Sequence, residues 1–121
     1  MPIKKILVVD DSPTERFALI EFLSKHGYSV VTADNGEEGV VKAKAELPDL
    51  ILMDVVMPGI NGYQATRTIS REEATRHIPI IMTTSKDAET DKIWGMRQGA
   101  KDYITKPIGA DELLNKISAL G

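Results

Sequence analysis

The chain has 121 residues, 42% of them hydrophobic and 27% charged, a composition that fits one soluble domain with a single core. A formal net charge of −3, with no block of clustered Lys or Arg, argues against nucleic-acid binding. Cysteine is absent, which excludes disulfides, thiolate metal sites and a cysteine nucleophile. No apolar run approaches the roughly 18 residues that a membrane helix needs.

The chain opens on Ile6-Leu7-Val8-Val9, a short, continuously apolar and mostly β-branched run suited to a parallel strand covered on both faces. Asp10-Asp11 follows at once, so the opening segment is no signal peptide, and a cytoplasmic location is expected. Ser12-Pro13-Thr14-Glu15 starts a helix, with Ser12 as N-cap, Pro13 in the first turn and Glu15 completing a capping box. Ala18, Leu19, Phe22 and Leu23 carry its apolar face, and Gly27 ends it. Val30-Val31 marks a second strand. Glu37 to Ala45 forms a second helix, with Val40, Val41 and Lys44 as its weak stripe and Pro48 just beyond.

Leu50 to Met53 makes the third strand and Tyr63 to about Ala74 the third helix. Pro79 to Met82 is the fourth strand, and Glu89 to Gln98 the fourth helix, stopped by Gly99. Tyr103-Ile104-Thr105 is the fifth strand, and Ala110 to Leu120 the last helix. His26 and His77 fall at element ends and read as surface residues without a metal role. Strands separated by helices need right-handed parallel crossovers, so the architecture is an α/β doubly wound, five-stranded parallel sheet. One domain covers residues 1–121, and no effector domain is expected.

Ligands of such sheets bind outside the carboxyl ends of the strands. Those ends carry Asp10-Asp11, Asp54, Thr83-Thr84-Ser85 and Thr105-Lys106-Pro107. Asp54 stands between the apolar runs Leu50 to Met53 and Val55 to Met57, where an unpaired charge costs several kcal/mol or more. It therefore belongs at the rim of the core with a cation beside it. Two carboxylates about 5 Å apart repel by roughly 3 kcal/mol at an effective dielectric near 20. Lys106 offsets one charge, and a hard divalent cation on oxygen ligands offsets more, so the cluster reads as an acidic Mg²⁺ pocket with a lysine opposite.

These residues resemble the response-regulator receiver domain. The matching stretches are Val9-Asp10-Asp11, Met53-Asp54-Val55-Val56-Met57-Pro58 with Gly62, Met82-Thr83-Thr84-Ser85, and Gly99-Ala100-Lys101-Asp102-Tyr103-Ile104-Thr105-Lys106-Pro107. The resemblance implies a flavodoxin-like, CheY-like fold with strand order 2-1-3-4-5. It implies that Asp54 accepts a phosphoryl group from a histidine kinase or a histidine phosphotransfer domain. Asp11 would bind Mg²⁺ directly, Asp10 through water and Val56 through its backbone carbonyl, with Asp54 completing the site; Mn²⁺ would substitute. Thr84 aligns with the hydroxyl residue that bonds the phosphoryl group, and Thr83 stands where the family usually has an aliphatic residue. The Lys106–Pro107 peptide would be cis. Tyr103 would be either the family's switching aromatic or a half-buried strand tyrosine, and switching would reshape the face made by the fourth helix, fifth strand and fifth helix.

Two positions depart from the common pattern. Val56, two after Asp54, cannot hydrogen-bond an attacking water, and Lys86, two after Thr84, is cationic, so slow loss of the phosphoryl group is expected. The stretch Lys86 to Gly95, with Arg97-Gln98-Gly99-Ala100, Asp11 to Glu15 and Asn61 to Arg67, resembles the PilH type of stand-alone regulator. That resemblance implies twitching motility by type IV pili under a chemotaxis-like kinase, with output through a protein partner or by draining phosphate. Trp94 is open to two readings, ordinary packing or a partner anchor. A monomer is the expected state.

Three rivals differ in chemistry. A Mg²⁺-dependent aspartyl phosphatase or phosphotransferase usually has a second acid two residues after the first, where this chain has Val56. A flavin carrier wants a hydroxyl- and glycine-rich phosphate loop after the first strand, where acids would repel phosphate. A pseudo-receiver would bind partners without phosphorylation, and the complete set of acids, hydroxyl and lysine speaks against it.

Overall fold

Strands that are apolar at consecutive positions need cover on both faces, and here they get it. The computed structural model describes residues 2–84 and 89–120. Its first half runs β1 (Lys5–Val9), α1 (Pro13–Lys25), β2 (Ser29–Ala33), α2 (Gly36–Glu46) and β3 (Leu50–Asp54). Its second half runs α3 (Gly62–Arg71), β4 (Ile80–Thr84), α4 (Glu89–Arg97), β5 (Asp102–Thr105) and α5 (Ala110–Leu120). The strands pair in parallel in the order β2-β1-β3-β4-β5, as expected.

Side chains alternate across a strand, so each strand feeds two cores. Ile6, Val8, Leu50, Leu52, Ile81 and Ile104 meet Leu19 and Leu23 of α1 and Leu113 and Ile117 of α5. Leu7, Val9, Ile51, Met53, Ile80 and Met82 meet Ala43 of α2 and Ala65 and Ile69 of α3 on the other face. Each fully buried side chain of this size stabilises the fold by roughly 1.5–3 kcal/mol.

Local chemistry sets the helix ends. Asn35 caps α2 by accepting from Glu38 N at 2.8 Å, so that helix starts at Gly36 rather than Glu37. Asn61 and Gln64 form a reciprocal capping box on α3, both bonds 3.0 Å. That helix stops at Arg71, short of Ala74, because Glu72 is extended at φ −82°, ψ 136°. At α1 only half of the expected capping box forms. Ser12 Oγ accepts from Glu15 N at 3.3 Å, but Ser12 N donates to Asp10 Oδ1 at 2.9 Å and leaves Glu15's carboxylate for another partner.

The expected stripe on α2 holds at Val40, which packs against the core, and is corrected at Val41 and Lys44. Gly36, Gly39 and Ala43 are its buried residues, Val41 is exposed, and Lys44 pairs with Glu72 at 2.8 Å. A Cβ on Gly39 would lie 3.0 Å from Val9's methyls, so this helix packs by close backbone approach. Gly95 does the same for α4, where a Cβ would stand 2.9 Å from Met82 Sδ. His26 and His77 are exposed as expected, and no helix among the described residues is long and apolar enough to cross a membrane.

Candidate functional site

Strand alternation delivers the site. Asp54 is the last residue of β3 and continues the row Leu50, Leu52 that faces α1 and α5. Asp10 follows Val9 in step with Ile6 and Val8, and Lys106 follows Thr105 in step with Ile104. All three side chains therefore emerge on one side of one sheet edge. Lys106 Nζ lies 3.0 Å from Asp54 Oδ1 and 3.1 Å from Asp10 Oδ2. Asp10 and Asp54 are buried and Asp11 is exposed, and the three offer carboxylate oxygens within 4.8 Å of one another.

That donor set fits a hard divalent cation, since Mg²⁺ and Mn²⁺ prefer carboxylate and water oxygens. Electrostatics points the same way. Burial pushes the Asp54 carboxyl up to about 6, opposed by the Lys106 hydrogen bond and reinforced by the charge of Asp10. Burial also works against the Lys106 ammonium, yet its bonds to Glu15, Asp54 and Asp10 outweigh that cost and hold its pKa above the ordinary lysine value. The lysine stays charged, and Asp10, Asp11 and Asp54 still outnumber it.

Glu15 is the member that the sequence reading missed. Its Oε2 accepts from Lys106 Nζ at 2.6 Å, so three carboxylates, those of Asp10, Asp54 and Glu15, share one ammonium. The available signal was its place in the first turn of the helix that follows Asp10-Asp11, which sits over the same edge. Arg16 adds a further tie, donating to the Asp10 carbonyl at 2.6 Å.

The hydroxyl and the aromatic sit on the opposite face. Thr84 ends β4 in step with Met82, and both Thr83 and Thr84 are buried. Thr83 is instead paired in register with Asp54. Thr84 and Tyr103 line one small cavity with Val55, Tyr63, Met82 and Gly95. Tyr103 is half-buried, with Lys116 Nζ 5.8 Å from its ring centre and bonded to Asp102 at 2.9 Å. Val56 is 61% exposed on the loop after Asp54, and the Lys106–Pro107 peptide is cis. Gly62 opens α3 so close to β3 that a Cβ there would collide with the Asp54 carbonyl. Trp94 is 49% exposed and meets Tyr63 edge-on at 6.4 Å, which leaves both of its readings open. Lys86 lies outside the described residues.

Residues 6–118 match the response regulator receiver domain. The chain is 54% identical over 116 residues to protein PilH of Pseudomonas aeruginosa, covering 96% of each chain. Among solved structures it resembles the chemotaxis protein CheY4 of Vibrio cholerae, with a TM-score of 0.92, 30% identity, and 98% of this chain and 99% of that one covered. It also resembles the receiver domain of the sensor histidine kinase PA1611 of Pseudomonas aeruginosa, with a TM-score of 0.90 and 32% identity over 97% of this chain and 96% of that one. That structure holds a magnesium ion coordinated in its active-site cleft. Fold, strand-end acids and relatives agree, and the chain belongs to the response regulator receiver family of two-component signalling proteins.

Proposed function

We propose that Asp54 is the phosphoacceptor of a regulator that takes its phosphoryl group from a histidine kinase or histidine phosphotransfer domain. The observation that carries this reading is Lys106 Nζ held between Asp54 and Asp10, beside carboxylates close enough to share a cation. An Asp54 oxygen attacks phosphorus, a new O–P bond forms, and the N–P bond of phosphohistidine breaks with its electron pair going to the imidazole. Asp10, Asp11 and Asp54, with the Val56 carbonyl, would hold Mg²⁺ or Mn²⁺, which supplies positive charge to the transferring oxygens. Lys106 neutralises another of those oxygens and needs no proton transfer to do so.

Thr84 donates its hydroxyl to the bound phosphoryl group and moves toward it. Tyr103 shares the cavity behind Thr84 and follows, which reshapes the face formed by α4, β5 and α5. The similarity to PilH supports a role in chemotaxis-like control of type IV pilus twitching motility, with output through a partner protein or by draining phosphate from a shared kinase.

The test is intact mass after incubation with acetyl phosphate, with and without Mg²⁺, for wild type and Asp54→Asn. A Mg²⁺-dependent gain of one phosphoryl group in wild type alone is expected. No gain, with a phosphorylated kinase also failing as donor, would turn the pocket into a phosphorylation-independent binding site.

A further inference from the structure

We infer that Glu15 is a positioning residue that brakes phosphorylation by occupying the one donor of Lys106 that the phosphoryl group needs. The inference rests on Asp54 being the phosphoacceptor. An ammonium has three N–H donors. Those of Lys106 have three carboxylate acceptors: Asp10 Oδ2 at 3.1 Å, Asp54 Oδ1 at 3.0 Å and Glu15 Oε2 at 2.6 Å. A phosphoryl oxygen gains a bond from Lys106 only when one of these leaves.

The three acceptors are not equally free to leave. Asp10 is buried, and its other oxygen takes Ser12 N at 2.9 Å. Asp54 is buried at the end of β3 and is itself the attacking group. Glu15 reaches in from the first turn of α1, and its side chain is 43% exposed, so water can receive it. Its carboxylate has no part in the α1 cap, because Ser12 N is already bonded to Asp10. Yet its bond to Lys106, at 2.6 Å, is charge-assisted like the other two, so giving it up carries a cost.

With acetyl phosphate as donor, an Asp54 oxygen bonds to phosphorus, the phosphorus–oxygen bond to the acetyl group breaks, and acetate departs with the electron pair. Lys106 keeps its protons throughout and exchanges Glu15 Oε2 for a phosphoryl oxygen. Glu15 thus opposes the transition state without touching the reacting atoms. A neutral side chain at position 15 would release Lys106 at lower cost.

The experiment follows phosphoryl mass gain against acetyl phosphate concentration, at fixed Mg²⁺, for wild type and Glu15→Gln. The α1 cap uses the backbone N–H of Glu15, so the variant keeps it. The maximal rate is expected to rise about fivefold, with the half-saturating concentration unchanged within about twofold. A lower half-saturating concentration at an unchanged maximal rate would mean that Glu15 merely repels the donor, and it overturns the inference. In a Lys106→Gln background, shown to be folded by circular dichroism, Glu15→Gln should have no effect, and an undiminished acceleration there also overturns it. Equal rates for wild type and Glu15→Gln overturn the brake alone and leave Asp54 as acceptor. No phosphoryl gain in any variant removes both readings together.

Discussion

Replacing Asp54 with Asn should stabilise the metal-free protein, which is unusual for a change at a buried polar position. The Asp54 carboxyl sits at about 6 in the fold against 3.8 for an ordinary aspartate. The folded state therefore holds the Asp54 proton more tightly than the unfolded chain does. Stability from this group is present below about pH 4 and is lost as pH rises through about 6. At neutral pH the charged carboxylate costs about 3 kcal/mol of folding free energy. That figure already includes the Lys106 hydrogen bond, because the bond lowers the pKa that burial raises. Asn resembles the protonated acid and still offers Lys106 an oxygen, while Asp10 and Glu15 keep the ammonium paired.

Allowing for an imperfectly bonded amide, the expected gain is about 1.5–3 kcal/mol, or a melting temperature higher by roughly 5–12 °C for a domain of this size. Thermal unfolding in chelator across pH 4 to 8 provides the assay. The advantage of Asn should vanish near pH 4, grow toward pH 6.5 and stay level above. Adding Mg²⁺ at pH 7.5 should raise the wild type more than the variant. A pH-independent difference, or equal Mg²⁺ shifts in both proteins, would refute the account of Asp54's surroundings.

Other changes probe separate parts of the fold. Val56→Asn puts an amide two residues from Asp54, the proposed acceptor, on an exposed loop position, and should shorten the phosphoryl half-life at least about threefold in a mass time course. Thr66 Oγ1 is buried and has no hydrogen-bond partner among the described residues, so Thr66→Val should stabilise by about 1 kcal/mol in urea unfolding. Gly62→Ala forces a methyl into the Asp54 carbonyl and should cost about 3 kcal/mol or more in the same assay.

Much of the fold was legible because its signals are local. Continuous apolar runs named the central strands, and Gly27 and Gly99, at φ 89° and 113°, ended helices where their freedom was needed. The α2 face was read correctly at Val40 and misread at Val41 and Lys44, because Gly36, Gly39 and Ala43 bury themselves through backbone proximity, which carries no hydrophobic period. Asp10, Asp54 and Lys106 were legible as a group since parallel strands bring their carboxyl ends to one edge. Glu15 was not, because an acid at its position in a first turn has two outlets, the cap or the sheet edge. Only the bond from Ser12 N to Asp10 decides between them.

The same alternation that gathers the acids puts the residues of the proposed switch on the other side of the sheet. Asp10, Asp54 and Lys106 continue rows facing α1 and α5, whereas Thr84 and Tyr103 belong with Met82 on the face covered by α3 and α4. A change at Asp54 must therefore cross the sheet to reach Tyr103. Thr84 is suited to carry it, since β4 lies directly between β3 and β5 and pairs Thr83 with Asp54 and Thr84 with Thr105. A side chain drawn toward Asp54 at the tip of β4 vacates space on the far face, beside Tyr103. Gly95 brings α4 against Met82 on that face, where an added Cβ would stand 2.9 Å from Met82 Sδ. Gly95 lines the same cavity as Thr84 and Tyr103, so under the phosphoacceptor role proposed for Asp54, Gly95→Ala should leave the Mg²⁺-dependent phosphoryl gain by intact mass unchanged while diminishing the accompanying change in Trp94 fluorescence; an unchanged fluorescence response would refute the coupling through this cavity.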